Sequence, residues 1–127
     1  MVLLDDFYTL NALTETENGI SAEVTLNPKH RIFNGHFPEN PVVPGVCMMQ
    51  MIKEVLQLSR KRTFILSEGS NVKFMNILNP DENQKVELVH EIVRDNGEEV
   101  KLKSTIRNNE TVFIKFAGSF REYNRTK

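Results

Sequence analysis

The chain has 127 residues, of which 39% are hydrophobic and 26% charged, enough for one domain with a substantial core. Sixteen basic against seventeen acidic side chains leave a net charge of -1, which excludes the basic stripe of a dedicated nucleic-acid binder. No apolar run approaches the roughly 20 residues of a membrane span, and Met1-Val2-Leu3-Leu4-Asp5-Asp6 lacks the basic head and apolar stretch of a signal peptide. The lone Cys47 excludes an internal disulfide and a Cys-based zinc site, and His30, His36 and His90 are not spaced as metal ligands. The expectation is a single soluble, cytoplasmic domain over residues 1–127, without metal, nucleic-acid partner or membrane span. Its tail frays from about residue 122.

Residues 1–27 read as strand, 28–43 as loop, 44–60 as helix and 63–121 as strand again. Ile20, Ala22, Val24 and Leu26 alternate with Ser21, Glu23 and Thr25, the period of a half-buried strand. Val86, Leu88, His90 and Ile92 share a second face, Val100, Leu102 and Ile106 a third, and Val112, Ile114, Phe116 and Phe120 a fourth. The turn signals Asn79-Pro80-Asp81, Asp95-Asn96-Gly97 and Asn108-Asn109 separate them and predict an antiparallel meander.

The one helix predicted runs from Pro44, in a first-turn position, to about Arg60. Met48, Met51, Ile52, Val55 and Leu56 form its apolar face, which Met49 and Leu58 widen. Gln50, Lys53, Glu54 and Gln57 fill a narrow polar arc that reads as solvated. A helix apolar over most of its circumference asks to be wrapped. Five or six antiparallel strands around it give an α+β domain with one central helix. His90 reads as a satisfied core histidine, His30 as a loop residue and Cys47 as packing.

The loop before the helix, His30 to Val46, is stiffened by Pro38, Pro41, Pro44, Gly35 and Gly45. It holds His36, the side chain there able to exchange a proton near neutrality. Gly45 opens the helix, so its N–H stands at the positive end of the helix dipole. An imidazole beside such an amide can abstract a proton while the amide stabilises an enolate oxygen.

These residues carry a resemblance. Gly35-His36-Phe37-Pro38 and Pro41-Val42-Val43-Pro44-Gly45-Val46 look like the signature of hot-dog-fold 3-hydroxyacyl-[acyl-carrier-protein] dehydratases. Ser70-Asn71-Val72-Lys73-Phe74 with Asn79-Pro80-Asp81 resembles the segment after that family's helix, so the similarity covers residues 19 to 121. The resemblance implies a hot-dog fold: a long antiparallel sheet wrapped round one helix. It implies a cytoplasmic dehydratase of fatty acid or related synthesis, turning (3R)-3-hydroxyacyl chains on acyl carrier protein into trans-2-enoyl thioesters without a cofactor. His36 would be the base, the Gly45 N–H would hold the thioester carbonyl, and the Val42 carbonyl would orient the imidazole. Phe37 and Val46 would line the substrate site. Family sites form across a dimer, so a homodimer or higher homo-oligomer is expected.

Two positions depart from the pattern. The family acid fourteen residues beyond the His is Gln50 here, and an amide has no proton to give. Family members place Gln four residues after that acid; this chain has Glu54, one turn on and about 6 Å away, a candidate displaced acid. Glu39 stands where the family has Gly. An alternative reading is therefore an acyl-carrier-protein-binding or scaffolding subunit that pairs with a complete homologue, as a heterodimer. A third is a hot-dog thioesterase, against which the proline-rich His loop speaks.

Overall fold

The polypeptide from Gly45 to Arg60 forms helix α1, and its apolar sides decide the architecture. The computed structural model describes residues 2–34 and 40–123. Cys47, Met48, Met51, Ile52, Val55 and Leu56 of α1 are all buried, with Met49 and Leu58 half-buried. Fully burying side chains of this size stabilises a fold by about 1.5–3 kcal/mol each, so a sheet that wraps the helix outweighs one laid against a single face.

Six antiparallel strands supply that wrap: β1 (Tyr8–Thr16), β2 (Gly19–Leu26), β3 (Phe64–Phe74), β4 (Lys85–Asp95), β5 (Glu99–Asn108) and β6 (Thr111–Glu122). Their order across the sheet is β1-β2-β4-β5-β6-β3. The expected meander is β4-β5-β6, and β3 crosses to the far side to become an edge beside β6. The inward faces follow the alternation read from the sequence. Ile20, Ala22, Val24 and Leu26 of β2, Val86 and Leu88 of β4, and Val100, Leu102 and Ile106 of β5 are buried. Ile114, Phe116 and Phe120 of β6 complete that surface. Gly97, with φ of +92°, occupies the left-handed position of the β4–β5 turn.

Four details differ from the sequence expectation or refine it. The first strand begins at Tyr8, because Asp6 and Phe7 donate their N–H groups back to the Leu3 carbonyl in a turn that Asp5 enters at φ +68°. Arg31–Phe33 makes a short 3₁₀ turn within the loop, capped by the ring of His30, which accepts from the Ile32 N–H. Pro44 is the helix N-cap, in extended conformation, and its carbonyl accepts from Cys47 and Met48. Residues 75–84 are not strand; there the Asn79 side chain accepts from the Asp81 N–H and closes a tight turn. The expected frayed tail falls largely on residues 124–127, outside the described residues.

His90 ties the helix to the sheet. Its Nε2 donates to the Ile52 carbonyl at 2.9 Å, which leaves Nδ1 to accept from the Ser104 hydroxyl at 2.8 Å. Ser104 faces His90 directly across the β4–β5 ladder, so the sheet register supplies the partner. Burial pushes the His90 pKa below its ordinary value. The folded chain thus refuses a proton that the unfolded chain accepts below about pH 6.5. Stability is full above that pH and falls as pH drops through it, by at most about 1.4 kcal/mol per unit. Urea midpoints at pH 7.5 and 5.5 should show this loss, and His90→Ala should shrink it. The variant should also lose about 1–3 kcal/mol at pH 7.5 by orphaning the Ser104 hydroxyl and the Ile52 carbonyl.

Candidate active site

From Pro41 onward the chain reaches α1 along a pinned path. Pro41 and Val43 are buried, and the Val43 N–H donates to the Leu78 carbonyl at 2.9 Å. The opposite wall is held too: the Met75 N–H bonds the Phe113 carbonyl, and the Asn76 side chain bonds the Val112 carbonyl at 2.7 Å. Between these walls lies a cavity of about 350 Å³ lined by Val42, Gly45, Met48, Phe74 and Ile77. The N–H groups of Gly45 and Val46 meet no acceptor among the described residues. Such first-turn amides have no partner within their own helix and lie at its positive end, a fit for a carbonyl oxygen that gains negative charge.

Gly45 is needed for a packing reason as well. A Cβ there would lie 2.6 Å from Cζ of Phe74, whose ring covers the start of the helix. In the sequence Gly45 stands out for its amide, and Phe74 only as part of a matching segment. The ring's place against Gly45 follows from β3 pairing with β6, which puts Phe74 opposite the buried Ile114.

Val46, Met49, Gln50, Lys53, Leu66 and Phe120 line a second cavity, of about 330 Å³. A third, of about 310 Å³, lies on the other side of the same polar arc, with Gln50, Lys53 and Glu54 facing Val2, Leu4 and Leu58. Gln50 and Lys53 border both. Lys53 is half-buried and makes no ion pair among the described residues.

The polar arc is not the solvated face that its composition suggests. Glu54 is only 4% exposed. Its Oε2 accepts from the Leu3 N–H at 2.8 Å and from Gln50 Nε2 at 2.7 Å. Its Oε1 accepts from the Leu4 N–H and the Tyr8 hydroxyl, both at 2.9 Å. Burial first, then the Glu54 charge, drives the Tyr8 pKa far above the ordinary phenol value, so the hydroxyl remains a donor. Gln57 is also committed, its Oε1 accepting from the Phe64 N–H at 2.9 Å. Tyr8 carries no local sequence signal for this role; once it is buried, its hydroxyl needs a partner, and Glu54 supplies it.

Of the candidates, Val42 and Gly45 share the first cavity, Val46 and Gln50 the second, and Gln50 and Glu54 are bonded to each other. His36 and Phe37, with Glu39, lie outside the described residues. Cys47 is buried, which raises its thiol pKa, so it offers no ready nucleophile. His30 is held by the Asp6 carboxylate at 3.0 Å and serves the loop. No group of three or more His, Cys, Asp or Glu among the described residues is placed to hold a metal, and no helix there is long and apolar enough to cross a membrane.

A six-stranded antiparallel sheet curled over one helix, with a proline-rich loop feeding the helix start, is the hot-dog architecture. The chain belongs to the ApeI-like family, described as ApeI dehydratase, which it matches over residues 12–117. It is similar to the 3-hydroxyacyl-[acyl-carrier-protein] dehydratase FabZ of Bacillus velezensis, with 32% identity over 102 residues, 72% of this chain and 70% of that protein. The FabZ of Ligilactobacillus salivarius is 32% identical over 80 residues, and there the chain spans 56% of the relative's length. In fold it resembles the dehydratase heterocomplex ApeI:P from Xenorhabdus doucetiae, with TM-score 0.69 and 17% identity over 89% of this chain and 96% of that one.

Gly45→Ala checks the geometry at the helix start. The Phe74 ring is 56% exposed and can swing aside, so the expected cost is under about 1 kcal/mol of stability. The displaced ring should enter the cavity and weaken uptake of an apolar fluorescent probe several-fold, as read by titration.

Proposed function

We propose that this protein dehydrates 3-hydroxyacyl chains carried on acyl carrier protein, giving trans-2-enoyl thioesters. The observation that carries the reading is the pair of first-turn amides at Gly45 and Val46, which open beside a cavity lined by Val42 and Phe74. Family membership gives the chemistry its name. With the thioester oxygen on the Gly45 N–H, the α-proton becomes acidic enough for an imidazole to remove. His36 is assigned as that base and the Val42 carbonyl as its orienting acceptor. Phe37 and Val46 are assigned to the walls of the acyl site.

The site is assigned to two chains, His36 of one facing the helix around Gln50 of the other. Supporting this, β3 is an edge strand whose Leu66 is 43% exposed, and Val46 of α1, on the same cavity, is 68% exposed. An uncovered edge with apolar neighbours invites a second sheet. Light scattering at micromolar concentration should find a dimer or larger; a stable monomer would sink the shared site.

Gln50 favours a second reading. A subunit lacking the acid could bind acyl carrier protein and borrow the missing group from a homologue; the Xenorhabdus doucetiae neighbour is named as a dehydratase heterocomplex. Two variants separate the readings. His36→Ala should abolish dehydration of 3-hydroxyacyl thioesters and leave the fold intact. Gln50→Glu would set a second carboxyl at hydrogen-bond distance from Glu54, where Gln50 Nε2 now stands 2.7 Å from Oε2. Two neighbouring carboxyls raise each other's proton affinity, so position 50 would hold more of the acid form than a lone carboxyl does. The variant should therefore dehydrate at least about tenfold faster, the contribution of one positioned acid. An inert natural chain that stays inert as Gln50→Glu, yet works when mixed with a homologue, gives the second reading the field.

A further inference from the structure

Glu54 has no part in the reaction as described, yet it is a buried carboxylate directly bonded to the residue at the family's acid position. We propose that Glu54 is a positioning residue: it fixes the Gln50 amide so that Oε1 accepts the hydrogen of the substrate's 3-hydroxyl. This rests on the dehydratase reading of the site.

The wiring forces the orientation. Both Glu54 oxygens are occupied, by the N–H groups of Leu3 and Leu4, the Tyr8 hydroxyl and Gln50 Nε2, at 2.7 to 2.9 Å. An ionised carboxylate only accepts, so the Gln50 amide turns its nitrogen toward it. Flipping the amide would set oxygen against oxygen and lose a charge-assisted bond. Oε1, on the other side of the same planar carbon, is directed away from Glu54. Gln50 borders the cavity with Val46, Met49 and Leu66, the face assigned above to the second chain, so an acceptor there meets a substrate held at that chain's His36 loop.

The same wiring argues against Glu54 as a displaced acid. A protonated Glu54 would turn its own O–H against one of four donors, in a site only 4% exposed. Anchored to Leu3, Leu4 and Tyr8, the carboxyl cannot advance a helical turn without releasing the N-terminal segment.

The reaction then balances without a proton from position 50. The His36 imidazole takes the α-proton and the electron pair passes into the enolate held by the Gly45 amide. As the enolate pair forms the carbon–carbon double bond, the C3–O bond breaks. The departing oxygen, its own hydrogen held by Gln50 Oε1, receives the imidazolium proton and leaves as water. Glu54 touches no substrate and acts through Gln50.

Three variants test this on the full chain with a 3-hydroxyacyl thioester. Glu54→Leu keeps the bulk and removes every acceptor; kcat should fall at least about tenfold with KM within about threefold, since misaligned groups cost rate rather than binding. Glu54→Gln should lower Tm, since its NH2 group comes to face the Leu4 N–H. It should still retain kcat within about threefold and an unchanged alkaline limb of the pH profile, because its amide oxygen can accept from the Leu3 N–H and Gln50 while the Tyr8 hydroxyl turns to accept. Ser104→Ala, which removes a partner of His90 and none of the Glu54 contacts, controls for stability and should lower Tm without changing kcat. An undiminished kcat in Glu54→Leu overturns the proposal, and so does abolished activity in Glu54→Gln, which would make Glu54 the acid. Should Glu54→Leu fail to fold, the side-chain amide signals of Gln50 decide: resolved, slowly exchanging protons in the natural chain support the bond, and an averaged free-amide pair overturns it. A natural chain inactive alone and with a homologue sinks the dehydratase reading instead, and the amide signals still judge the Glu54–Gln50 contact.

Discussion

The apolar circumference of α1 is the constraint on which the other elements depend. Met48, Met51, Ile52, Val55 and Leu56 point in directions that one flat layer could not cover, so the sheet curls. Curling brings β3 round to the edge beside β6, and with it Phe74 to the start of the helix. The candidate site is thus a by-product of wrapping. The helix start, the pinned loop and the end of β3 converge because the helix has to be enclosed.

Polar groups inside this enclosure are few and each is answered. His90 joins α1 to β4 and β5 through the Ile52 carbonyl and the Ser104 hydroxyl. Glu54 joins α1 to the N-terminal segment and β1 through Leu3, Leu4 and Tyr8. No buried side-chain nitrogen or oxygen among the described residues lacks a partner. The two anchors differ in kind. His90 is a neutral link that weakens with acid, whereas Glu54 gathers donors around a carboxylate and shares one of them with the site.

That sharing gives the reversed order of Gln50 and Glu54 a physical meaning. Two carboxylates one turn apart would repel, and two amides would leave the N–H groups of Leu3 and Leu4 competing for a single good acceptor. One acid and one amide avoid the repulsion, and the acid at position 54 is the order that satisfies these donors. In the order found here the carboxylate sits deeper, against the N-terminal segment, and the amide lies on the cavity rim.

The sequence by itself determined the strand faces, the meander, the helix and the loop that leads into it. These depend on local alternation, on the 3.6-residue period and on proline and glycine, all properties of neighbouring residues. It also determined the family, through a loop whose residues are contiguous from Gly35 to Val46. What only the tertiary structure decided involves residues distant along the chain. Glu54 reads as a solvated position because its helical neighbours are polar; Leu3, Leu4 and Tyr8, about fifty residues away, bury it. The wall that Phe74 builds over Gly45 depends on a ladder between β3 and β6 that no local pattern reveals. The same holds for the start of β1 at Tyr8: residues 1–27 alternate well enough to read as strand, and a turn tied to a helix carboxylate replaces the first few. Periodicity reports which face is apolar, but a buried charge is placed by the donors that fold onto it.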